Sequence, residues 1–332
     1  MDSTPRLRDS FRRSINYMRI SVTDRCNLRC IYCMPPEGVS WIPHENILSF
    51  EEIERVVSAT ATVGMRKIRI TGGEPLVRRG IVQLVERLAS IPGIDDIAMT
   101  TNAILMPQFA EPLARAGLQR INVSLDTLDP ERFAHITRFD SLGKVLEGIE
   151  AAERAGLAPI KINAVVLRGI NDGEVVDLAR LTLEHPWHVR FIEAMPLGGN
   201  LPVEGDGFIP ADEIMGRLTP LGELEACSGP GGNGPARYFK LPDARGTVGV
   251  ISPMSHFYCD SCNRVRLSAD GRLRLCLFDD HEVDLRTPLR AGASADEIVS
   301  IFHRAIAAKP ERHHLQVGHS NCSLRALSQI GG

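Results

Sequence analysis

Apolar and polar residues alternate in six short stretches of the chain, and segments with apolar residues at helical spacing follow most of them. The strand-like stretches are residues 18–22, 67–71, 96–100, 120–125, 160–166 and 188–192. The helix-like segments are residues 50–63 after a suitable N-cap at Ser49, 80–89, 107–116, a segment ending near 155, and 174–183. Strands that alternate with helices predict a parallel sheet, which either curls into an incomplete barrel or stays open as a doubly wound sheet.

Polar motifs follow the predicted strands at the points where those strands end. The first strand leads into a loop with three cysteines. The later strands lead into the motifs Gly72-Gly73-Glu74-Pro75, Thr100-Thr101-Asn102, Ser124-Leu125-Asp126 and Met195-Pro196. In βα barrels the reactive groups lie at the carboxyl ends of the strands, on one rim. This shared placement favours an α/β fold, an incomplete (β/α)6 TIM-like barrel with one site on its rim.

The character of the chain changes after the last of these strands. Glycine-rich and proline-rich segments within 203–240 predict loops, and short strand patterns follow at 238–241, 247–251 and 272–276. A helical pattern returns at 295–308. We therefore expect a flexible lead-in at 1–13, the barrel at 14–198, and a smaller C-terminal α+β domain at 199–332 that closes the barrel.

Cys26, Cys30 and Cys33 form a CxxxCxxC motif in the loop after the first strand. Iron–sulfur cubes and structural zinc sites usually take four protein ligands. Three thiolates therefore leave one metal position open. An open position implies a site that takes part in a reaction and is not purely structural. The alternative is an incomplete structural zinc knuckle.

A second group of cysteines lies in the C-terminal third. Cys259 and Cys262 form a CxxC pair, and Cys276 follows after 13 intervening residues. A nearby histidine such as His256 or His281 would complete a Cys₃His zinc site. Two arginines directly beside the CxxC pair, and the preceding three-cysteine barrel loop, favour a second cluster with an open iron instead.

Charge and composition give no reason to expect nucleic acid or a membrane as a partner. The formal net charge is −3, the isoelectric point is near 6.4, and no run of 18 apolar residues occurs. The eight cysteines, six of them in the two groups, fit metal ligation in a reducing compartment better than a disulfide framework. Cys227 and Cys322 have no partner at metal-ligand spacing and are interpreted as bystanders. Without an apolar N-terminal stretch of signal-peptide length, the chain is expected to be cytoplasmic.

The ordered set of motifs resembles the GTP 3′,8-cyclase family, also called molybdenum cofactor biosynthesis protein A, of the radical S-adenosylmethionine superfamily. The resemblance runs from about residue 17 onward and rests on SVTDRCNxRCxYCMP, TGGEP, TTN, SLD, a RFIExMP-like segment and CxxCNRxRLxxDGxLRxCLF. The final Gly331-Gly332 pair looks like the family's functional tail. Two small departures, Arg12 and Ala194, avoid the metal ligands.

The resemblance implies two 4Fe-4S clusters and S-adenosylmethionine as cofactors. Cys26, Cys30 and Cys33 would hold the first cluster, to which S-adenosylmethionine binds. The implied contacts to S-adenosylmethionine are Tyr32, Gly73, Ser124 and Met195. The implied ligands of the second, substrate-binding cluster are Cys259, Cys262 and Cys276.

The resemblance further implies GTP as the substrate. The implied GTP contacts are Arg19, Arg69, Thr100, Lys161, Arg264, Val265 and Arg266. Catalytic roles are implied for Arg264, Arg266, Gly331 and Gly332. From the residues alone, the cations in the strands have a second interpretation, which is that they pair with an interior carboxylate such as Glu74 or Asp126.

The implied reaction is conversion of GTP to 3′,8-cyclo-7,8-dihydro-GTP, the first step of molybdenum cofactor biosynthesis. Its implied partners are an external electron donor and the next enzyme of the pathway, cyclic pyranopterin monophosphate synthase, and a homodimer is compatible with the family. Two alternatives stay open at this point. One is a different radical S-adenosylmethionine enzyme with an auxiliary cluster, and the other is an electron-transfer protein with two clusters.

Overall fold

The structure is a computed structural model that describes residues 6–197, 207–232, 234–315 and 325–331. Two residues discussed above, Cys322 and Gly332, lie outside the described residues. None of the helices within the described ranges combines the length and the apolar character needed to cross a bilayer.

Strands and helices alternate from the first strand to the sixth, as predicted. The strands are β1 Tyr17–Ser21, β2 Lys67–Thr71, β3 Asp96–Thr101, β4 Arg120–Ser124, β5 Lys161–Val166, β6 His188–Glu193, β7 Glu225–Cys227, β8 Arg237–Lys240, β9 Thr247–Ile251, β10 Arg264–Leu267, β11 Arg272–Arg274 and β12 Glu282–Asp284. The α-helices are α1 Phe50–Ala61, α2 Ile81–Ala89, α3 Met106–Arg115, α4 Pro130–Thr137, α5 Leu142–Arg154, α6 Val175–Glu184, α7 Ala211–Gly216, α8 Arg286–Arg290, α9 Ala295–Ala307 and α10 Leu327–Ile330. Short 3₁₀ helices lie at His44–Asn46, Pro75–Val77, Asp172–Glu174, Thr219–Leu221 and Cys259–Ser261.

The sheet is a partial barrel whose two edges are both extended by the C-terminal region. Strands β1 to β6 pair in chain order and in parallel. Strand β9 then adds in parallel to β6, and β10 adds in parallel to β1. Across the described residues the order is β12-β11-β10-β1-β2-β3-β4-β5-β6-β9-β8-β7, with no hydrogen-bonded pairing between the outer strands. The incomplete-barrel prediction is therefore confirmed, but the C-terminal strands widen the sheet at both edges and do not close it by hydrogen bonds.

The helices cover the outer face of the sheet because their apolar residues recur on one side. Helix α1 begins with a capping box, in which the Ser49 side chain accepts from the Glu52 backbone N–H and the Glu52 carboxylate accepts from the Ser49 backbone N–H. The buried face of α1 includes Ile53, Val56 and Val57, which join the main core cluster. Each such side chain contributes about 1.5–3 kcal/mol when fully buried.

Each barrel strand sends apolar side chains outward to the helices and polar side chains inward. On β1, Met18 and Ile20 are fully buried in the core, while Arg19 between them lines an interior cavity. On β6, Val189 and Phe191 are in the core and Arg190 lines the same cavity. This period-two alternation concentrates cations inside the barrel.

Two sequence expectations about loops differ from the structure. Residues 6–13 were expected to be flexible, but Leu7 is fully buried and its N–H donates to the carbonyl of Val63. The Arg13 guanidinium pairs with Asp9 at 2.5 Å and donates to the carbonyl of Pro310 at 2.7 Å. One buried apolar residue, an ion pair and hydrogen bonds to distant carbonyls hold this segment, and none of these gives a periodic pattern in the sequence. Within 203–240, the described residues include α7, β7 and β8 in addition to loops.

Candidate active site

A cavity of about 250 Å³ opens at the carboxyl ends of the barrel strands. Most of the residues predicted for the site line it: Arg19, Cys26, Cys30, Tyr32, Cys33, Arg69, Gly73, Thr100, Ser124, Met195, Arg264 and Arg266. The other predicted residues are not part of this lining: Lys161, Val265, Gly331, Cys259, Cys262 and Cys276. Residues adjacent in the chain to Val265, Cys259 and Cys276 do line the cavity. The sequence motifs at the strand ends therefore do converge on one rim.

The first cysteine loop is fixed by its own turn and by the end of α4. The N–H of Cys33 donates to the carbonyl of Cys30 at 2.9 Å, and the N–H of Ile31 donates to the carbonyl of Ile136 at 2.9 Å. Burial raises the pKa of Cys26 to about 12 and that of Cys33 to about 11. Neutral thiols at physiological pH suit a site in which bound metal displaces the thiol protons.

The Gly72-Gly73-Glu74 segment after β2 is hydrogen-bonded to the backbone that leads into the cysteine loop. The N–H of Gly73 donates to the carbonyl of Thr23 at 2.7 Å, and the N–H of Glu74 donates to the carbonyl of Arg25 at 2.8 Å. A Cβ on Gly73 would lie 2.2 Å from the carbonyl oxygen of Arg25. Glycine is therefore required here by close backbone approach, in addition to any contact with a ligand.

Gly73→Ala is expected to weaken binding of S-adenosylmethionine at least about tenfold, because the clash falls on backbone beside Cys26 and cannot be relieved by a side-chain rotation. The measurement is equilibrium binding of S-adenosylmethionine to anaerobically reconstituted protein. Gly143→Ala in α5 is the matched control, since a Cβ there meets nothing within 4 Å. Equal affinities of the Gly73 variant and the control would contradict the packing argument.

The two interior carboxylates are occupied by groups other than the interior arginines. Burial raises the pKa of Glu74 to about 7, and its carboxylate accepts from the Thr101 hydroxyl at 2.8 Å and the Asn102 N–H at 2.7 Å. Asp126 accepts from the Tyr32 hydroxyl at 2.7 Å and from the Val165 N–H at 2.8 Å. Within the described residues, neither Arg69 nor Lys161 forms an ion pair with Glu74 or Asp126, so the alternative pairing is not observed for these two cations. These carboxylates instead tie adjacent strand ends together.

The barrel interior carries buried guanidinium groups with open hydrogen-bonding capacity. The Nε atoms of Arg69, Arg190 and Arg264 are buried and have no hydrogen-bond partner among the described residues. Arg69 lies 5.6 Å from the Tyr17 ring centroid, and Arg264 lies 5.5 Å from that of Tyr258. Buried cations with unsatisfied donors are suited to binding a multiply charged anion.

Arg190 is a site residue that the sequence analysis missed. It is 3% exposed, lines the cavity, and donates to the Asn122 side-chain oxygen at 2.7 Å. Burial lowers its pKa, with Arg69 contributing in the same direction. The signal that could have found it is the alternation of β6, in which Arg190 lies between the buried apolar residues Val189 and Phe191.

Lys161 lies one layer below the cavity, nearer the amino ends of the strands. It is 3% exposed, and its side-chain nitrogen donates to the carbonyls of Pro230, at 2.8 Å, and Gly231. Burial lowers its pKa to about 6, helped by three neighbouring arginines. The charged and titratable groups around it are Arg69, Asp96, Arg120, His188 and Arg190.

The C-terminal tail, residues 325–331, packs against the cavity, and its residues Leu327 and Ser328 are part of the lining. Arg266 is 5% exposed, and its guanidinium donates to the carbonyl of Gly331 at 2.5 Å. A backbone N–H from Ser328 donates to the Cys33 sulfur. Gly331 has φ +70°, and a Cβ there would lie 2.8 Å from the Thr71 methyl group. Of the predicted terminal pair, Gly331 contacts the cavity residue Arg266, and Gly332 lies outside the described residues.

The second cysteine group borders the cavity through its neighbours Tyr258, Arg264 and Leu277. The N–H of Cys262 donates to the carbonyl of Cys259 at 3.0 Å across a 3₁₀ turn, and Cys276 follows β11. Burial raises the pKa of Cys262, but the positive charges of Lys309 and Arg264 outweigh it, so the net pKa is lowered. This electropositive setting favours the thiolate of Cys262. For Cys276, burial outweighs the charge of Lys309 and raises the pKa.

Lys309 was not singled out from the sequence. It is 3% exposed and donates to the carbonyls of Arg264, at 3.1 Å, and Leu275. Its position follows from the end of α9, a long-range placement that no local pattern indicates. Among the described residues, no three His, Cys, Asp or Glu side chains converge on a point that would hold a single metal ion. An iron–sulfur cube needs no such convergence, because its thiolates bind to separate irons.

Comparison with known proteins identifies two family models along the chain. Residues 20–182 match the Radical SAM superfamily, and residues 187–315 match Molybdenum Cofactor Synthesis C. Among solved structures, Streptococcus suis SuiB has a TM-score of 0.60 at 12% identity, covering 83% of this chain and 65% of that one. SuiB bound to the precursor peptide SuiA also has a TM-score of 0.60, at 13% identity, covering 89% of this chain and 67% of that one. These structures share the fold, and this chain spans about two thirds of their length.

Much more similar relatives exist among curated proteins. The GTP 3′,8-cyclase of Pelotomaculum thermopropionicum is 53% identical over 98% of this chain and 100% of the relative. That of Moorella thermoacetica is 50% identical, with the same coverage of both chains. This similarity over the full length rules out the two alternatives left open by the sequence, because neither a peptide-modifying relative nor an electron-transfer protein would match along both regions. The chain therefore belongs to the GTP 3′,8-cyclase family of the radical S-adenosylmethionine superfamily.

Proposed function

We propose that this chain is a GTP 3′,8-cyclase, which converts GTP to 3′,8-cyclo-7,8-dihydro-GTP in the first step of molybdenum cofactor biosynthesis. The observation that carries the proposal is the single cavity shared by the CxxxCxxC loop and the buried arginines. A radical generator and a polyanion site in one enclosed space are what this reaction needs. Family membership supplies the identity of the substrate.

The residues present fit a 4Fe-4S cluster with S-adenosylmethionine bound to it, both implied by the superfamily. Cys26, Cys30 and Cys33 would hold the cluster, and all three line the cavity. The predicted cofactor contacts Tyr32, Gly73, Ser124 and Met195 line it as well. When bound, this group would supply the radical chemistry needed to abstract hydrogen from C3′ of the GTP ribose.

The chain's own residues hold GTP so that C3′ and the guanine C8 can join. Arg69 and Arg190 would bind phosphate oxygens through Nε donors that have no partner among the described residues. The other predicted phosphate contacts are Arg19 and Thr100, which line the cavity, and Lys161, which lies below it. Buried arginines act on phosphate strongly, because the interior screens charge less than water does. The barrel wall excludes water and other side chains from the reacting carbon.

The second cysteine group would hold a second 4Fe-4S cluster, with the guanine at its open iron. Cys259, Cys262 and Cys276 supply three thiols, and the cations Lys309 and Arg13 lie beside them. The matched C-terminal family model spans all three cysteines. Arg264, Arg266 and the backbone of Val265 would then position the substrate between the two clusters, with the Gly331 carbonyl orienting Arg266.

GTP binding is expected to weaken as pH rises from about 7 to 8.5. Without substrate the pKa of Lys161 is about 6, so the neutral amine predominates in this range. A bound triphosphate favours the ammonium form, so binding takes up a proton. The dissociation constant should rise up to about tenfold per pH unit until the pH passes the pKa of the bound state. Anaerobic calorimetry between about pH 7 and 8.5 measures this dissociation constant. The γ-phosphate is already ionised in this pH range, so its own titration does not contribute.

Two substitutions of Lys161 show whether this lysine, and not another titrating group, causes the pH dependence. Lys161→Met should give weaker binding that no longer depends on pH in this window. Lys161→Arg should retain affinity and also lose the pH dependence, since arginine stays charged. An unchanged slope in both variants would mean that another group takes up the proton.

The proposed reaction is tested directly with GTP deuterated at C3′. Reconstituted protein is incubated anaerobically with dithionite, S-adenosylmethionine and the labelled GTP, and the 5′-deoxyadenosine is examined by mass spectrometry. Deuterium in 5′-deoxyadenosine is the expected result. Unlabelled 5′-deoxyadenosine would assign the protein another substrate or another abstraction site, and its absence would overturn the radical assignment.

Other features of the proposal rest on the family resemblance and composition. The external electron donor, cyclic pyranopterin monophosphate synthase as the next enzyme, a homodimer and a cytoplasmic location remain predictions. The division at residues 198 and 199 is also a prediction, although strands from both parts pair in one sheet.

A further inference from the structure

A partly buried ion pair attaches the C-terminal tail to the rest of the protein. The Arg325 guanidinium binds both carboxylate oxygens of Asp270, each at 2.9 Å. It also approaches the Glu282 carboxylate at 3.0 Å. Only 23% of the Arg325 side chain and 13% of the Asp270 side chain are exposed. A bidentate arginine–carboxylate pair fixes orientation as well as distance.

Asp270 lies in the turn between β10 and β11, and this hairpin also carries site residues. Strand β10 contains Arg264 and Arg266, and β11 ends two residues before Cys276. Within the turn, the Ser268 hydroxyl donates to Asp270 at 2.6 Å. Burial alone would raise the pKa of Asp270. The hydrogen bonds from Arg325 and the Ser268 hydroxyl have the larger effect, so the pKa of Asp270 lies below its usual value. The carboxylate is therefore ionised at neutral pH.

Beyond Arg325, the tail makes contacts at both halves of the site. Leu327 and Ile330 form a small buried apolar cluster with Leu197. A backbone N–H from Ser328 reaches Cys33, and the Gly331 carbonyl receives the Arg266 hydrogen bond. One short segment thus touches a predicted ligand of the first cluster and a predicted substrate residue.

We propose that Arg325 and Asp270 are positioning residues that seat the tail, so that the Gly331 carbonyl meets Arg266 and the cavity is closed above Cys33. This inference rests on the proposed function, since it concerns how efficiently the radical is used on GTP. Neither residue contacts the cavity itself. Loss of the pair should uncouple the two parts of the reaction, leaving cofactor cleavage while reducing cyclisation.

The test compares Arg325→Gln, Asp270→Asn and Arg325→Lys with the wild-type holoenzyme. Under dithionite, both 5′-deoxyadenosine and the cyclised product are quantified. Arg325→Gln and Asp270→Asn should lower cyclised product at least about tenfold while lowering 5′-deoxyadenosine less than about threefold. Arg325→Lys should be intermediate, since it keeps the charge but loses bidentate binding. The proposal would be overturned if Arg325→Gln and Asp270→Asn both gave the wild-type ratio of 5′-deoxyadenosine to cyclised product.

Seating of the tail is also measured without activity, by amide hydrogen exchange over residues 327–331. Protection should fall at least about tenfold in Arg325→Gln and Asp270→Asn. Asp177→Asn is the matched control, because its pair with Arg180 is about half exposed and stabilises the fold little. Iron content and melting temperature identify a variant that misfolds. If wild-type protein forms no cyclised product, the proposed function fails, and unchanged exchange in the variants would separately refute tail seating.

Discussion

Cys26→Ser is expected to abolish reductive cleavage of S-adenosylmethionine, a loss of more than about a thousandfold, because the radical chemistry belongs to the cofactor and its cluster. Serine preserves the local fold, since its oxygen can accept the Leu28 N–H that the Cys26 sulfur accepts at 3.4 Å. It is, however, a poor ligand for iron, which these clusters bind through thiolates. Formation of 5′-deoxyadenosine and iron per chain are the measurements.

Cys227→Ser is the control for this prediction. Cys227 lies in β7 at the outer edge of the sheet, and it is a partly exposed free thiol like Cys26. It should keep wild-type iron content and activity, whereas Cys26→Ser should lose about half of the iron if two clusters are present. Normal cleavage by the Cys26 variant would remove the CxxxCxxC loop from the mechanism. Complete loss of iron would instead show that the two groups assemble together.

Arg266→Gln is expected to lower cyclisation of GTP about 10-fold to 150-fold while leaving 5′-deoxyadenosine formation largely intact. A hydrogen bond to a charged group in a buried site contributes about 1.5–3 kcal/mol, which corresponds to this range. Burial lowers the pKa of Arg266 to about 10, so the guanidinium is still charged at neutral pH and is lost only by substitution. Single-turnover measurements of product and 5′-deoxyadenosine give the two yields.

Arg272→Gln is the matched control on the same hairpin. Its guanidinium pairs with Asp284 at 3.2 Å and is 30% exposed, and it is not part of the cavity lining. The control should change cyclisation by less than about twofold. If both arginine variants lose product equally, the effect arises from the hairpin's stability. If neither does, Arg266 is not a substrate residue.

The sequence predicted the barrel well because its strands carry the pattern themselves. The structure places β2 and β9 at the predicted residues, and α1 begins at the predicted N-cap Ser49. These elements are defined by local alternation and local capping, so neighbours in the chain are enough to indicate them.

Features that depend on distant parts of the chain were missed. Strand β10 was not predicted, because its two arginines hide the apolar alternation, and it is recognised by its pairing with β1 and β11. Arg190 was overlooked although its strand was predicted, because an inward-facing cation looks like a surface cation in the sequence. Lys309 reaches the second cysteine group only after α9 has packed. The predicted metal ligands, in contrast, lie in compact motifs that sequence spacing reveals directly.

The pairing of β10 with β1 has a consequence for how the protein is made. β1 is synthesised near the start of translation, but the strand that covers its outer edge follows more than 240 residues later. At a translation rate of about 5–20 residues per second, β10 is synthesised roughly 10–50 seconds after β1, and the edge of β1 is unpaired until then. During this interval the nascent barrel exposes an unpaired strand edge, the kind of surface that recruits other chains. Slow translation or overexpression should therefore favour aggregation of ribosome-bound chains, and chaperones that cover nascent strands should raise the yield.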